Sequence, residues 1–415
     1  MRLVYPDFGL RQHIHQGSGC ISKIPEIVNR EKWSRIFLVC GPSIHKSGLS
    51  ASIIDDLRKA SVEVCVFTNV QQNPLAETID NEAVPIAKKF NPDAIMAIGG
   101  GSTLDSAKGV VIVGDSGKRV MDFTIDKIAA DERLAHNTLP LIVVPTTAGT
   151  GSEVSKNAVI TDENGYKLVH AHDSILPSYA LLDPDLLATL PFHVAAASSM
   201  DTFVQALETL TNRNSTDFTR TQSLRSLELI GGCIRQFVAN PADRIAANDM
   251  SLACMYAGFS LGLAGIGQDH VITHPMSEAP FFLSHGDACA MALPAVIEYN
   301  GLSCKKLYRQ AYNALTGKNV SCNDFEVRML IDWVVDLNDD FHIARDKSFA
   351  DYGFNDETLE KMMNHPIVKI AVELNTPAEI TEYPRVTGFD DYRRIIRRIA
   401  VYSQAQADRA NKALT

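Results

Sequence analysis

The first part of the chain alternates short apolar runs with amphipathic stretches. Ile36-Phe37-Leu38-Val39-Cys40 is rich in β-forming residues and stops at Gly41-Pro42, so it reads as a strand. Leu49, Ile53, Ile54 and Leu57 then recur at helical spacing, which predicts a helix over residues 47–60. Residues 62–67 read as another strand, 77–90 as another helix, and the fully apolar Ala94-Ile95-Met96-Ala97-Ile98 as a strand entering a glycine cluster. Leu141-Ile142-Val143-Val144 follows and is stopped by Pro145. Strands alternating with helices predict a mainly parallel sheet covered on both faces.

Past residue 190 the texture changes to helical periodicity, over residues 218–238, 244–264, 324–337, 356–373 and 389–413. Breaks fall at Asn240-Pro241, at Thr316-Gly317-Lys318-Asn319 and at Asn375-Thr376-Pro377. The expectation is an α/β domain over residues 1–190 and an all-helical domain over 191–415, packed closely around a shared cleft where ligands bind. Residues 251–267 carry no charge, but the stretch is shorter than the ~20 residues of a membrane span and rich in Gly, Ala and Ser; it reads as a buried helix.

Composition narrows the partners more than the fold. A chain of 415 residues, 46% hydrophobic, has material for two or more cores. Its formal charge of −10 argues against nucleic acid or an anionic membrane surface as partner. Eight cysteines without a C-x-x-C pair or a dense framework read as reduced, mostly buried thiols. The first residues show no apolar signal core, so the expected setting is the cytoplasm.

Two loops carry candidate chemistry at strand ends. Gly99-Gly100-Gly101-Ser102 follows the 94–98 strand, where glycines let backbone approach a pyrophosphate and the next helix offers its first N–H groups. Ser102 or Thr103 is expected to cap that helix, with Asp105 and Lys108 in its first two turns. A lone glycine cluster is more often a simple turn. However, the loop from Pro145 to Glu153 also leaves an apolar strand, and offers the hydroxyls of Thr146, Thr147 and Thr150. Two such loops on one sheet edge make a dinucleotide crevice, although the spacing is not the G-x-G-x-x-G of an ordinary Rossmann domain.

The other candidate is a divalent-metal site. Asp201 and Gln205 lie four apart in a helix expected to start near Val194, so they share a face. His270 and His274 repeat that spacing, and His285 lies beyond a loop. Asp201, His270 and His285 could supply three ligands, with the Gln205 amide oxygen as a fourth. A single histidine in a helical region is more often a surface or core group; three histidines close together, with an Asp-x-x-x-Gln elsewhere, leave both readings open. His170, His172, His13 and His15 read as surface or cleft-lining groups.

Taken in order, these segments resemble the iron-containing, or group III, alcohol dehydrogenase family of the dehydroquinate synthase-like superfamily, over nearly the whole chain. The likeness rests on Gly99 through Lys108, Pro145 to Glu153, Asp183-Pro184, Asp201 with Glu208 downstream, His270-x-x-x-His274-Pro275 and His285-Gly286. It implies an N-terminal α/β dinucleotide-binding domain and a C-terminal helical domain holding the metal. It also implies that Gly99, Gly100, Gly101 and Ser102 hold the pyrophosphate, and that Asn73, Asp105, Thr146, Thr147, Thr150 and Lys167 line the cofactor. Asp201, Gln205, His270 and His285 would hold Fe2+ or Zn2+, and His274 would stand near nicotinamide and substrate as the catalytic residue.

Three departures from the family pattern matter. Gln205 stands where relatives place a third histidine, which weakens the donor set. The His270–His285 interval is one residue longer, altering the loop over residues 276–284 with its Glu278, Phe281 and Phe282. Gly41 stands where NAD-using relatives carry an acid that binds the adenosine ribose, so NADP(H) is favoured over NAD(H). The implied function is metal-dependent hydride transfer between NAD(P)(H) and a small alcohol or aldehyde, running as an aldehyde reductase. Lys156, Arg213, Asn214 and Gln205 point to a polar or anionic aldehyde. The alternatives are a carbon–oxygen lyase or cyclase like dehydroquinate synthase, and a metal-free, catalytically silent nucleotide-binding relative. The resemblance also implies a homo-oligomer such as a dimer.

Overall fold

The apolar runs become the strands of one wholly parallel sheet. In the computed structural model, which describes residues 12–130, 138–343, 347–374 and 383–413, these strands are β1 (His13–Gln16), β2 (Arg35–Cys40), β3 (Glu63–Phe67), β4 (Ala94–Gly99), β5 (Leu141–Pro145) and β8 (Tyr179–Leu182). Their order across the sheet is β1-β8-β5-β4-β2-β3. Every residue of β4 and β5 is buried, which explains why they read as unbroken apolar runs rather than as alternation. A separate antiparallel hairpin, β6 (Asn157–Thr161) with β7 (Lys167–Ala171), lies between β5 and β8 in sequence.

One face of the sheet packs Ile36, Leu38, Met96, Ile98, Ile142 and Val144 against Ile24, Ile27 and Val28 of the Ile24–Glu31 helix and Ile53, Ile54 and Leu57 of the Leu49–Lys59 helix. The helix expected over 47–60 forms as Leu49–Lys59, and Gly48 with φ 85° separates it from a short preceding helix, Pro42–Lys46. The chain divides into two compact units between Thr189 and Leu190.

The second unit is helical, as its periodicity indicates. Phe192–Thr211, Asp217–Ala239, Arg244–Ala264, Val327–Asp340 and Phe389–Ala413 all form. The stretch over 356–373 is instead two helices, Asp356–Met363 and Pro366–Leu374, because a proline cannot donate into a continuing helix. The break at 375–377 lies outside the described residues. The longest helix, His285–Thr316, was not marked by spacing. The uncharged stretch over 251–267 lies largely in the Arg244–Ala264 helix. There Ala253 and Ala257 are fully buried, and two hydroxyl bonds fasten it to the Asp217–Ala239 helix: Ser226 to the Ala253 carbonyl at 2.8 Å and Ser260 to the Thr219 carbonyl at 2.9 Å. Among the described residues no single helix is long and apolar enough to cross a membrane.

All eight cysteines are free thiols; six are buried, Cys65 is half-buried and Cys322 is exposed. His170 corrects its surface reading, since its side chain is fully buried.

Candidate functional site

Register sets the first candidate loops side by side. Cys40 pairs with Ile98 and Gly99 with Pro145, so Gly41, the glycine cluster and the Thr146–Thr150 turn leave the same sheet edge. The glycines are there partly for contact between loops. A Cβ on Gly101 would sit 2.4 Å from Thr150 Cγ2, and one on Gly100 3.3 Å from Thr147. The helix cap differs from expectation: Gly100, not Ser102 or Thr103, is the N-cap, and no side chain bonds there. The first intrahelical donors are Thr103 N at 2.9 Å and Leu104 N at 3.2 Å, both onto the Gly100 carbonyl. The N–H groups of Gly101 and Ser102 precede that ladder and lie at the positive end of a 13-residue helix.

Asp105 is turned inward. Its Oδ1 accepts from the Ser152 hydroxyl at 2.7 Å and its Oδ2 from Val159 N at 2.9 Å, so it ties the helix to the loop and hairpin. Lys108 does the same more strongly, donating to the carbonyls of Ser152 (2.6 Å), Ser155 (2.8 Å) and Asn157 (2.7 Å) and to the Ser152 hydroxyl (2.8 Å). Asn73 is exposed with φ 78°, and Lys167 opens β7 in a buried position. Thr161 lies between their segments: it pairs with Lys167 in register and donates from its N–H to the Pro74 carbonyl at 2.7 Å.

The second candidate site is built where three helices of the helical unit converge. Asp201 and Gln205 lie on Phe192–Thr211, His270 and His274 on Gln268–Met276, and His285 opens His285–Thr316. His270 Nε2 lies 3.4 Å, and His285 Nε2 3.8 Å, from Asp201 Oδ1. Gly286 makes this approach possible, because a Cβ there would fall 1.8 Å from the Ala197 carbonyl oxygen. The His274 ring stands edge-on to His285, with centroids 5.7 Å apart. Gln205 reaches the cluster through its amide nitrogen, which donates to Asp201 Oδ1 at 3.0 Å.

Three residues outside the ligand set read from the sequence complete the arrangement. Glu208 accepts from Gly267 N at 3.0 Å and Asp269 N at 2.6 Å, capping the Gln268–Met276 helix where its dipole favours an anion. The same carboxylate lies 2.6 Å from His270 Nδ1. This fixes the tautomer and leaves Nε2 buried, facing the cluster with no hydrogen-bond partner. Cys289, fully buried one turn beyond His285, brings its Sγ 3.8 Å from His285 Nε2 and 3.5 Å from Thr273 Oγ1. One ligand atom each from Asp201, His270, His285 and Cys289 lies within 4.8 Å of the others. Asp269, also fully buried, has neither carboxylate oxygen hydrogen-bonded. Cys289 had a signal in the sequence, since it stands four residues after His285 just as Gln205 follows Asp201.

The electrostatics are those of an anionic pocket. Burial alone would lower the His270 imidazole, but Glu208 and then Asp201 carry it well above its usual range. Burial and then Glu208 push the Asp269 carboxyl well above its ordinary value. Burial, Asp269 and Asp201 do the same to the Cys289 thiol. Taking carboxylates out of water beside one another is costly unless a cation joins them. The donor chemistry and the orphaned imidazole nitrogen therefore fit a divalent metal ion. Elsewhere, Lys156 pairs with Asp173 at 2.9 Å in solvent, and Glu278 is held by buried His365 at 3.1 Å. Phe282 on the 276–284 loop is 73% exposed.

Comparison with known proteins gives concordant results. The family described as "Iron-containing alcohol dehydrogenase" matches residues 11–184, and "Fe-containing alcohol dehydrogenase family, C-terminal" matches residues 195–384. Long-chain-alcohol dehydrogenase 1 of Geobacillus thermodenitrificans (strain NG80-2) is 28% identical over 386 residues, covering 92% of this chain and 94% of that one. Probable alcohol dehydrogenase EutG of Escherichia coli (strain K12) is 30% identical over 309 residues, 74% of this chain and 76% of its own. The solved structure of an alcohol dehydrogenase from Oenococcus oeni superposes with a TM-score of 0.84 at 28% identity, over 95% of this chain and 99% of that one.

Proposed function

The chain belongs to the iron-containing alcohol dehydrogenase family and is an alcohol or aldehyde oxidoreductase, and from that premise we propose that it reduces a small polar or anionic aldehyde with NADPH. The observation carrying the metal-dependent part of this reading is His270, a buried imidazole with Nδ1 held by Glu208 and Nε2 aimed, unpartnered, at Asp201. Asp201, His270 and His285 would hold a divalent cation. When bound, the cation supplies Lewis-acid polarisation of the substrate oxygen, and the nicotinamide ring supplies or accepts the hydride.

The protein's own part is positioning. Glu208 locks the His270 tautomer, and the Gln268–Met276 helix that Glu208 caps sets His274 one turn further along. In this reading His274 borders substrate and nicotinamide. The free N–H groups at Gly101 and Ser102 bind the pyrophosphate, the hydroxyls of Thr146, Thr147 and Thr150 line it, and Asn73 and Lys167 lie further along the cofactor.

Preference for NADP(H) rests on Gly41. Its φ of −71° is one that any residue adopts, and a Cβ there would make only an ordinary 3.6 Å contact with Thr103 Oγ1. Nothing in the backbone therefore requires glycine. The following Pro42-Ser43-Ile44-His45-Lys46 contains no acid to repel a 2′-phosphate.

The test is nicotinamide absorbance with NADPH and NADH across a panel of hydroxy-, carboxy- and phosphono-aldehydes. Net oxidation of NADPH is expected, and Gly41→Asp should shift the NADPH-to-NADH preference toward NADH by roughly tenfold or more, about 1.4 kcal/mol. Product formed without net nicotinamide turnover would instead mark a lyase. An NADH preference in the unaltered enzyme would remove the cofactor assignment.

A further inference from the structure

The metal-dependent reading leaves a question that Gln205 raises: which side chain completes the donor set. An amide oxygen is a weak ligand beside imidazole or thiolate, and here the amide nitrogen donates to Asp201 Oδ1 at 3.0 Å. The Gln205 side chain thus steadies a carboxylate. A stronger donor stands on the other side of the cluster, where Cys289 projects from the same helix face as His285, four residues on.

We propose that Cys289, rather than Gln205, is the fourth protein donor to the cation held by Asp201, His270 and His285, and that the resulting nitrogen, oxygen and sulfur set selects zinc over iron(II). The inference rests on the metal-dependent reading above and deepens it.

Geometry supports the assignment. Ligands at zinc distances of about 2.0–2.3 Å in a tetrahedron stand roughly 3.3–3.7 Å from one another. The cluster shows 3.4 Å between His270 and Asp201, 3.8 Å between His285 and Asp201, and 3.8 Å between Cys289 and His285. Two further observations point the same way. His270 Nε2 is buried without a hydrogen-bond partner in the same pocket. Thr273 Oγ1, 3.5 Å from the sulfur, is placed to donate its hydroxyl proton to a thiolate. On binding, the sulfur–metal bond forms as the S–H bond breaks, and the thiol proton leaves to solvent. His285 is the most open of the pair it makes with His270, with 30% of its side chain exposed against 5%, which leaves a direction for substrate to approach. A soft thiolate favours zinc or cobalt(II) over iron(II) in such a mixed site.

The experiment is to strip the full-length protein with a chelator and reload it with cobalt(II). The unaltered protein should bind one cobalt and show a thiolate-to-cobalt charge-transfer band in the near ultraviolet. Cys289→Ser should lose that band while Gln205→Ala keeps it. X-ray absorption of the zinc-loaded, unaltered protein needs no variant and should find one sulfur scatterer at about 2.3 Å. Loaded from an equimolar mixture of zinc and iron(II), the protein should retain zinc in at least tenfold excess.

Stoichiometric cobalt with visible d–d bands but no thiolate band would overturn the Cys289 assignment alone, and so would a band that survives in Cys289→Ser. Iron(II) retained in preference to zinc would overturn the selectivity. Failure to retain either cobalt or zinc would overturn this inference and the metal-dependent reading together.

Discussion

His170 in the sheet unit and His270 in the helical unit are both buried imidazoles, and their surroundings push them in opposite directions. Around His170 the driving influence is burial, with the Val120 carbonyl 3.1 Å from Nε2, and the ring is lowered to about 4. Around His270 the carboxylates of Glu208 and Asp201 overcome burial and raise it. Lys108 extends the contrast. It is a fully buried cation of the sheet unit, and four of the protein's own oxygens stand within 2.8 Å of its Nζ. In the sheet unit the charge of Lys108 is answered from within the fold and His170 Nε2 has its carbonyl, although His170 Nδ1 is left without a hydrogen-bond partner. In the other, carboxylates, an orphaned imidazole nitrogen and a thiol converge with a surplus of negative donors. A region complete without a ligand is structural; one whose charges balance only when a cation joins them is a binding site.

The largest test of that contrast is Lys108→Met. Methionine keeps an apolar stem in the buried position but withdraws every donor from Ser152, Ser155 and Asn157. Removing one side of a buried charged network costs about 3–5 kcal/mol. Urea melts should show that loss without any change in the metal content of the folded protein. A loss below about 1 kcal/mol would mean that the knot is not what holds the hairpin and loop on the helix.

The same contrast explains what could be read from the sequence. β2, β4 and β5 were legible because they are buried on both faces and bounded by Gly or Pro. The His285–Thr316 helix was not, because Ala288, Ala290, Ala292 and Pro294 are all buried and blur the apolar period. His170 misled because β7 does not alternate: Lys167 and His170 are buried while Leu168 and Val169 between them are half-buried. Asp201, His270 and His285 stood out by residue type and spacing. Their convergence, however, depends on Glu208 capping a distant helix and on Gly286 letting two backbones touch, and neither is a local pattern. Asp105 was legible as a polar residue after a glycine loop, but not its turn inward onto Ser152 and Val159.

A smaller effect is expected from Glu208→Gln, which probes the second region through a residue that would not touch the cation. A carboxylate behind a metal-binding imidazole is worth about 10–100-fold in metal affinity, or roughly 1.4–2.7 kcal/mol. Chelator competition should show that weakening while NADPH affinity stays the same, because the glycine loops belong to the other unit. Metal affinity unchanged within twofold would reduce Glu208 to a helix cap.

The smallest effect isolates the first region by pH. His170 is lowered to about 4 when folded, against 6.5 for the free side chain, so between those values the unfolded chain binds the extra proton. Its contribution is therefore present in full above about pH 6.5, erodes as pH falls through 6.5 and is gone by about pH 4. At pH 5.5 that erosion amounts to about 1.4 kcal/mol. Glutamine at 170 can still donate to the Val120 carbonyl but has nothing to titrate. The stability of His170→Gln should fall less than that of the unaltered protein between pH 7.5 and 5.5, by about that amount, in melts of metal-stripped protein. His270 acts with the opposite sign: its raised value adds stability that is complete below about 6.5 and lost as pH rises through the folded value. In the unaltered protein the two histidines act in adjoining windows, His270 above about pH 6.5 and His170 below it, so removing His170 leaves the carboxylate-driven one in view. Parallel pH profiles for the two proteins would show that His170 is already relieved by solvent or a partner, and the contrast between the two buried imidazoles would then rest on His270 alone.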